Sequence, residues 1–277
     1  MPSDRNQAGS SPTDPEAEAA KAAGAGSAAA GAGSAAEGPG PEADADADAA
    51  ALARSADTRG PQLSTLVIAD SPESWRAGGF IVDEQGICVL GRTAIHLNGG
   101  LGGFRSWVFD GIDQEVSEID GLAVAGPNRS PSPSPSAQRI PNHHPHPNGI
   151  TSIDHIVIRS GNCKRTIAAL EAAGFPRRGG RTTTSSGFAA AQSFFWAGDV
   201  ILELIGPDID EPATDEVTSI FGLALVAPDL DSTAQFLGDL MGDPRPAVQK
   251  GRRIAGFRTR TVGISLPIAV MSPHSKP

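Results

Sequence analysis

Apolar positions fall into short runs with two periods, and the period changes mark the elements. Between Pro61 and Gly126 the runs are separated by turn residues. Leu66 to Ala69 predicts a strand and Pro72 to Ala77 a short helix stopped by Gly78-Gly79. Phe80 to Val82, Ile87 to Leu90, Ala94 to Leu97 and Phe104 to Phe109 predict further strands. Beyond Gly149 the signals sharpen. Ile153 to Arg159 reads as a β-branched strand, and Asn162 is placed to cap a helix over Lys164 to Ala173 that ends at Gly174. Phe188 to Trp196 and Val200 to Ile205 then read as strands joined by the turn Ala197-Gly198-Asp199.

This order of elements is repeated. Ser152-Ile-Asp-His-Ile-Val-Ile-Arg aligns with Ser219-Ile-Phe-Gly-Leu-Ala-Leu-Val at an offset of 67, and each strand leads to a cap, Asn162 or Asp229, and a helix. Ser265 to Met271 closes the second unit as Ile201 to Ile205 closes the first. Self-similarity at this spacing predicts two βαβββ modules, each too small to bury its sheet face alone. A weaker third copy precedes them: Trp75-Arg-Ala-Gly-Gly-Phe mirrors Leu170-Glu-Ala-Ala-Gly-Phe, and Gly91 stands five residues before His96 as Gly198 does before Glu203.

Composition separates these modules from their flanks. Residues 1–60 are poor in large apolar side chains, with 16–52 alternating Ala, Gly, Ser and acids; they bury too little apolar surface to offset chain entropy and are expected to be a disordered tail. Residues 127–149, with Ser130-Pro-Ser-Pro-Ser-Pro-Ser and Asn142-His-His-Pro-His-Pro-Asn, are expected to be a linker, since alternate prolines remove donors and favour extended chain. His143, His144 and His146 form a short His-rich tract of the kind that can grip a soft divalent ion, although no rigid scaffold is predicted around them. The expected organisation is therefore a tail (1–60), a degenerate half-module (61–126), a linker (127–149) and a paired-module domain (150–273), in the α+β class.

Of the net charge of −10, the tail holds −6 and the remainder −4. An acidic tail on a mildly acidic body argues against nucleic acid as a partner, because phosphate contact needs a basic field. Two cysteines, Cys88 and Cys163, exclude a disulfide scaffold and a multi-cysteine zinc site. No run of 18 apolar residues suggests a membrane span, and Met1 to Gln7 lead into no apolar signal stretch, so a cytoplasmic location is expected.

Three stretches carry a resemblance: Ile153-Asp-His-Ile-Val-Ile, the helix Thr166-Ile-Ala-Ala-Leu-Glu-Ala-Ala-Gly-Phe, and Phe194-Phe-Trp-Ala-Gly-Asp-Val-Ile-Leu-Glu-Leu-Ile-Gly-Pro. Over about Gly149 to Pro273 the chain resembles the vicinal oxygen chelate superfamily, the glyoxalase and bleomycin-resistance fold, and over Leu63 to Gly126 the likeness is faint. The resemblance implies paired modules curled around a cavity for a small molecule. It also implies a divalent metal there (Zn, Fe, Mn or Ni), held by the first and last strands of each module. His155 and Glu203 match those positions in the first module. A carboxylate between Leu202 and Leu204 is costly to desolvate unless paired or coordinated, which independently singles out Glu203. The second module departs from the pattern, with Gly222 opposite His155, and Ala269 or Val270 opposite Glu203. His96 stands where Glu203 does in the weak third copy and would be a third ligand if that module docked against the others.

Other candidates are less specific. Arg159 and Trp196 are expected to touch substrate, Trp196 by stacking on a flat ligand. Arg177, Arg178 and Arg181, and likewise Lys250, Arg252 and Arg253, form basic clusters that either attract an anion or remain solvated hairpin charges. Cys163 starts a helix, where the dipole could activate it, but no histidine is near in sequence. Two functions stay open. One is a binding protein with a degenerate metal site, favoured by Gly222 and Ala269. The other is a metal-dependent lyase, isomerase or dioxygenase using His155 and Glu203. No general base, substrate or oligomeric state is identified.

Overall fold

The computed structural model describes residues 60–126, 145–185, 188–207 and 217–274. The tail, His143 and His144 lie outside the described residues. Two large sheets carry the described residues, and a two-stranded hairpin forms a third. The first contains β1 (Gln62–Ile68), β2 (Ile87–Leu90), β3 (Thr93–Leu97) and β4 (Phe104–Asp110) in the order β2-β3-β1-β4, with β1 parallel to β3. Its helix α1 (Pro72–Ala77) is capped by the Ser71 hydroxyl, which accepts from the Glu73 amide. Phe80 to Val82, expected as a strand, pairs with no other strand. The Ile81 amide instead donates to His146 Nδ1 at 2.9 Å, and His146 Nε2 lies 3.0 Å from the Val89 carbonyl. With both ring nitrogens engaged by backbone, His146 anchors the chain entering the second sheet and is not a free member of a metal-gripping tract. Asn148, fully buried, continues the anchor by donating to the Gly78 carbonyl.

The second sheet has eight strands: β7 (Ser152–Arg159), β8 (Arg177–Ser185), β9 (Phe188–Ala197), β10 (Val200–Pro207), β11 (Ser219–Val226), β12 (Arg245–Pro246), β13 (Arg253–Phe257) and β14 (Ile268–Met271). Their order is β12-β13-β14-β11-β7-β10-β9-β8. Helix α2 (Cys163–Ala172) follows β7 and α3 (Leu230–Leu237) follows β11, capped by Asn162 and Asp229 as expected. The pairs β7/β10 and β11/β14 are parallel, while β7 and β11 meet antiparallel at the module boundary. Ile156 faces Leu223 there, and these residues are 67 apart, so the pseudo-twofold axis of the duplication passes between them. The register confirms the repeat at finer scale. A bulge leaves Asp154 of β7 without a partner across the boundary, and a second leaves Phe221 of β11 without one, again at an offset of 67.

Both sheets share one apolar core. Leu63, Trp75 and Trp107 of the first belong to the same cluster as Ile156, Leu202, Phe195 and Val270 of the second, with Leu170 and Leu237 of the helices between. Phe109 meets Phe175 edge-on at 4.8 Å, and Phe80 stacks on Phe257 at 6.4 Å. Polar clamps close the seam. Asp70 accepts from the Trp75 indole and the Ser265 amide. The hairpin β5 (Glu118–Ile119) and β6 (Leu122–Ala123) turns on Asp120-Gly121, both with positive φ. It presents Asp120 to Thr166, Thr218 and Arg165 of the second sheet's layer.

Candidate functional site

Alternation along β7 sends Ile156 and Ile158 to the helix face and His155 and Val157 to the opposite face. Glu203 lies beside Val157 and opposite Phe194, and Ile201 lies beside His155 and opposite Trp196, so these six side chains share one face. Across the module boundary that face continues as Ala224, Ala269, Ile254 and Met271, an apolar cluster separate from the main core. Val157, His155 and Glu203 are buried, whereas Phe194, Trp196, Ile201 and Ile205 are half-buried. Phe195, on the other face, fills the core.

The bulge at Asp154 lets consecutive side chains meet. His155 Nδ1 lies 2.8 Å from Asp154 Oδ2 and donates to it. His155 Nε2 lies 3.3 Å from Glu203 Oε2, outside hydrogen-bond geometry, and is buried without a hydrogen-bond partner. Glu203 Oε1 accepts from Gln192 Nε2 at 2.8 Å, and Gln192 Oε1 accepts from Arg181 Nε at 2.6 Å. On the other side Arg252 clamps Asp154, with Nη2 at 2.6 Å from Oδ1, while its Nε donates to the Ser272 carbonyl. Arg252 belongs to the second module and Asp154 to the first, so the ion pair crosses their boundary. One polar chain thus runs from Arg181 through Gln192, Glu203, His155 and Asp154 to Arg252.

Each charge reflects its neighbours. Burial alone would raise the Asp154 carboxyl, but the His155 hydrogen bond, with the charges of His155 and Arg252, holds it well below the usual carboxylate range. Burial opposes the charged imidazole of His155, and the bond to Asp154 with the Glu203 and Asp154 charges outweighs it, raising the histidine. Burial raises Glu203 by more than His155, Arg181 and Gln192 lower it.

The sequence candidates separate accordingly. His155 and Glu203 come together and Trp196 stands on the same face, while Arg159 is exposed at the end of β7. His96 sits on β3 of the first sheet, beside Val67 and Ile87. Among the described residues no group of three His, Cys, Asp or Glu side chains is placed to hold a metal ion, so His96 does not complete a triad with His155 and Glu203. The duplication places Ala269 at the counterpart of Glu203, because Glu203 lies beside Val157 and Ala269 beside Ala224. A side chain at Gly222 would put its Cβ 2.7 Å from the Pro267 carbonyl oxygen, so the strand packing itself has closed over the missing ligand position. Two protein donors on one module fall short of the three or more that hold a catalytic metal, and this donor set does not fit one. Arg252 corrects the expectation of solvated charges in its cluster, being only 3% exposed. Cys88 and Cys163 are buried and joined in no disulfide, and burial pushes the Cys88 thiol up to about 12, which makes it inert.

Sequence reasoning missed Gln192, which nothing local marked. It placed Arg252 only in a basic cluster, with no sign of its pairing with Asp154.

No family model matches the sequence, and no curated protein matches it. Among solved structures, a mutant of 4-hydroxymandelate synthase from Streptomyces coelicolor aligns with 78% of this chain and 93% of its own, at 12% identity and a TM-score of 0.53. A halotolerant catechol dioxygenase aligns with 79% of this chain and 88% of its own, at 12% identity and a TM-score of 0.47. Methylmalonyl-CoA epimerase from Mycobacterium tuberculosis aligns with 46% of this chain and 91% of its own, at 15% identity and a TM-score of 0.36. With the duplicated βαβββ register, the likeness to the synthase shows that the chain has the vicinal oxygen chelate fold.

Proposed function

We propose that the protein binds a small molecule on the His155 face of the second sheet, with a degenerate metal site. One observation carries this reading. His155 Nε2 is a buried polar atom without a hydrogen-bond partner, on the sheet face that also carries the half-buried apolar side chains Phe194, Trp196, Ile201 and Ile205. Buried polar groups in native proteins are nearly always satisfied, so an orphan beside an apolar rim marks the place of an absent partner. The carboxylate of Glu203 keeps 8% of its side-chain surface exposed there, next to His155 at 5%. Asp154 fixes the imidazole orientation, Gln192 fixes the Glu203 carboxylate, and the rim supplies contact area.

A second reading, a metal-dependent lyase, isomerase or dioxygenase, draws on the same geometry, since an imidazole oriented by a carboxylate beside another carboxylate is how metal-binding histidines are held. The donor count stands against it. The test is a fragment screen by two-dimensional NMR on the full chain, with parallel additions of Zn, Mn, Ni and ferrous ions. Binders are expected to shift the Trp196 indole and His155 imidazole signals together, and metals are expected to leave the melting temperature within a non-specific effect. Hits confined to other surfaces, or a stoichiometric metal lost on Glu203→Gln, would overturn the proposal.

A further inference from the structure

We propose that the ligand of this face is an uncharged, flat, largely apolar molecule carrying a single polar group, and that anions are excluded. The inference rests on the binding reading above and adds the chemical class. It follows from how the charges on this face are already used.

Two carboxylates, Asp154 and Glu203, lie on either side of His155 at 2.8 and 3.3 Å. Two buried cations offset them: Arg252, spent on Asp154 and the Ser272 carbonyl, and the imidazole of His155, which the two carboxylates hold toward its charged form. Arg181 is turned to Gln192 and lies over the Phe194 ring at 5.9 Å. Arg177 donates to the Ser193 hydroxyl, and Arg159 has a partner of its own. A carboxylate or phosphate entering here would add a third negative group beside Glu203 to a set whose two carboxylates are already offset by Arg252 and His155, leaving an unbalanced buried charge, and like charges at such range repel strongly in a desolvated setting. A neutral hydroxyl or carbonyl meets no such opposition and satisfies His155 Nε2, a buried atom with no hydrogen-bond partner. Phe194 and Trp196, adjacent strand positions two apart on β9, present aromatic surface suited to a planar ring system. Across the boundary Ala224, Ala269 and Met271 offer no polar atom from their side chains, so a ligand with several polar groups would leave most of them unpaired.

Naphthalene, 2-naphthol and 2-naphthoate present one ring system with no polar group, one neutral group and one anion at about neutral pH. Each is titrated into the full chain while the Trp196 indole resonance, assigned with Trp196→Phe, is followed. The expected order is 2-naphthol tightest, with 2-naphthoate about tenfold weaker and naphthalene weaker than 2-naphthol by up to about tenfold, the size of one net hydrogen bond. His155→Leu is expected to erase the preference for 2-naphthol over naphthalene. Glu203→Gln, which keeps the shape and the Gln192 contact while removing the negative charge, is expected to bring 2-naphthoate within about threefold of 2-naphthol. Equal or tighter binding of 2-naphthoate by the unaltered chain overturns the charge class while leaving the binding face intact. If none of the three compounds moves the Trp196 signal, the binding reading itself fails and this inference falls with it.

Discussion

Arg252 illustrates how far a side chain's role depends on residues remote in sequence. It follows Lys250 and precedes Arg253, a local context that reads as hairpin charge, yet its guanidinium is buried on Asp154, 98 residues earlier. Desolvating both groups is costly, and the pair holds because Asp154 is also bonded to His155 and Arg252 to Ser272. Removing one member strands the other. Arg252→Met is therefore expected to lower stability by about 3–5 kcal/mol, while Arg252→Met with Asp154→Leu recovers much of that loss because no bare charge remains. Urea midpoints of the two variants and the unaltered chain check this, and a double variant no more stable than the single one would contradict it. The residues legible in advance were those whose signal is local: His155 and Glu203 on apolar strands, and the caps Asn162 and Asp229. Gln192 was not, since a glutamine two residues before a Phe-Phe-Trp run has no local mark of its contact with Glu203.

Elements were legible where apolar period and caps agreed, and failed where tertiary contacts took over. Strand β8 is Arg177-Arg-Gly-Gly-Arg-Thr-Thr-Thr-Ser, nearly free of apolar residues, because it forms the sheet edge and has a neighbour only on the β9 side. Phe80 to Val82 has strand composition, but its Ile81 amide is taken by His146, 65 residues on. The two halves of the duplication differ in an element-level way as well. At Gly222, β11 runs so close to Pro267 that no Cβ fits without displacing a backbone carbonyl. Gly222→Ala is expected to cost about 1–3 kcal/mol through forced strand separation. Gly242→Ala, whose Cβ would meet its nearest atom at 3.8 Å, is expected to stay within about 0.5 kcal/mol. Thermal melts of the two variants compare them directly, and similar losses would remove the packing explanation for the missing ligand position.

At the scale of the molecule, the duplication at an offset of 67 was readable because cap, helix, glycine and strand recur in order, and the mirrored bulges at Asp154 and Phe221 carry it into backbone detail. How the first sheet joins the others was not readable, because its contacts are long-range by nature. Phe109 reaches Phe175, Phe80 reaches Phe257, Asp70 accepts from the Ser265 amide, and Asp120 is held by Thr166 and Thr218. Trp75 and Trp107, both fully buried, sit in the same cluster as the strands of the second sheet. An apolar core shared in this way leaves neither sheet a complete interior of its own, so the two should unfold together. Calorimetry of the full chain is expected to show one transition, with tryptophan fluorescence and far-ultraviolet circular dichroism coinciding. A chain beginning at residue 145 would bare Phe175 and Phe257, and it is expected to bind a hydrophobic dye and lose cooperative melting. Two separated transitions in the full chain, or a shortened chain that melts as sharply as the whole, would show that the seam is only a contact between independently stable units.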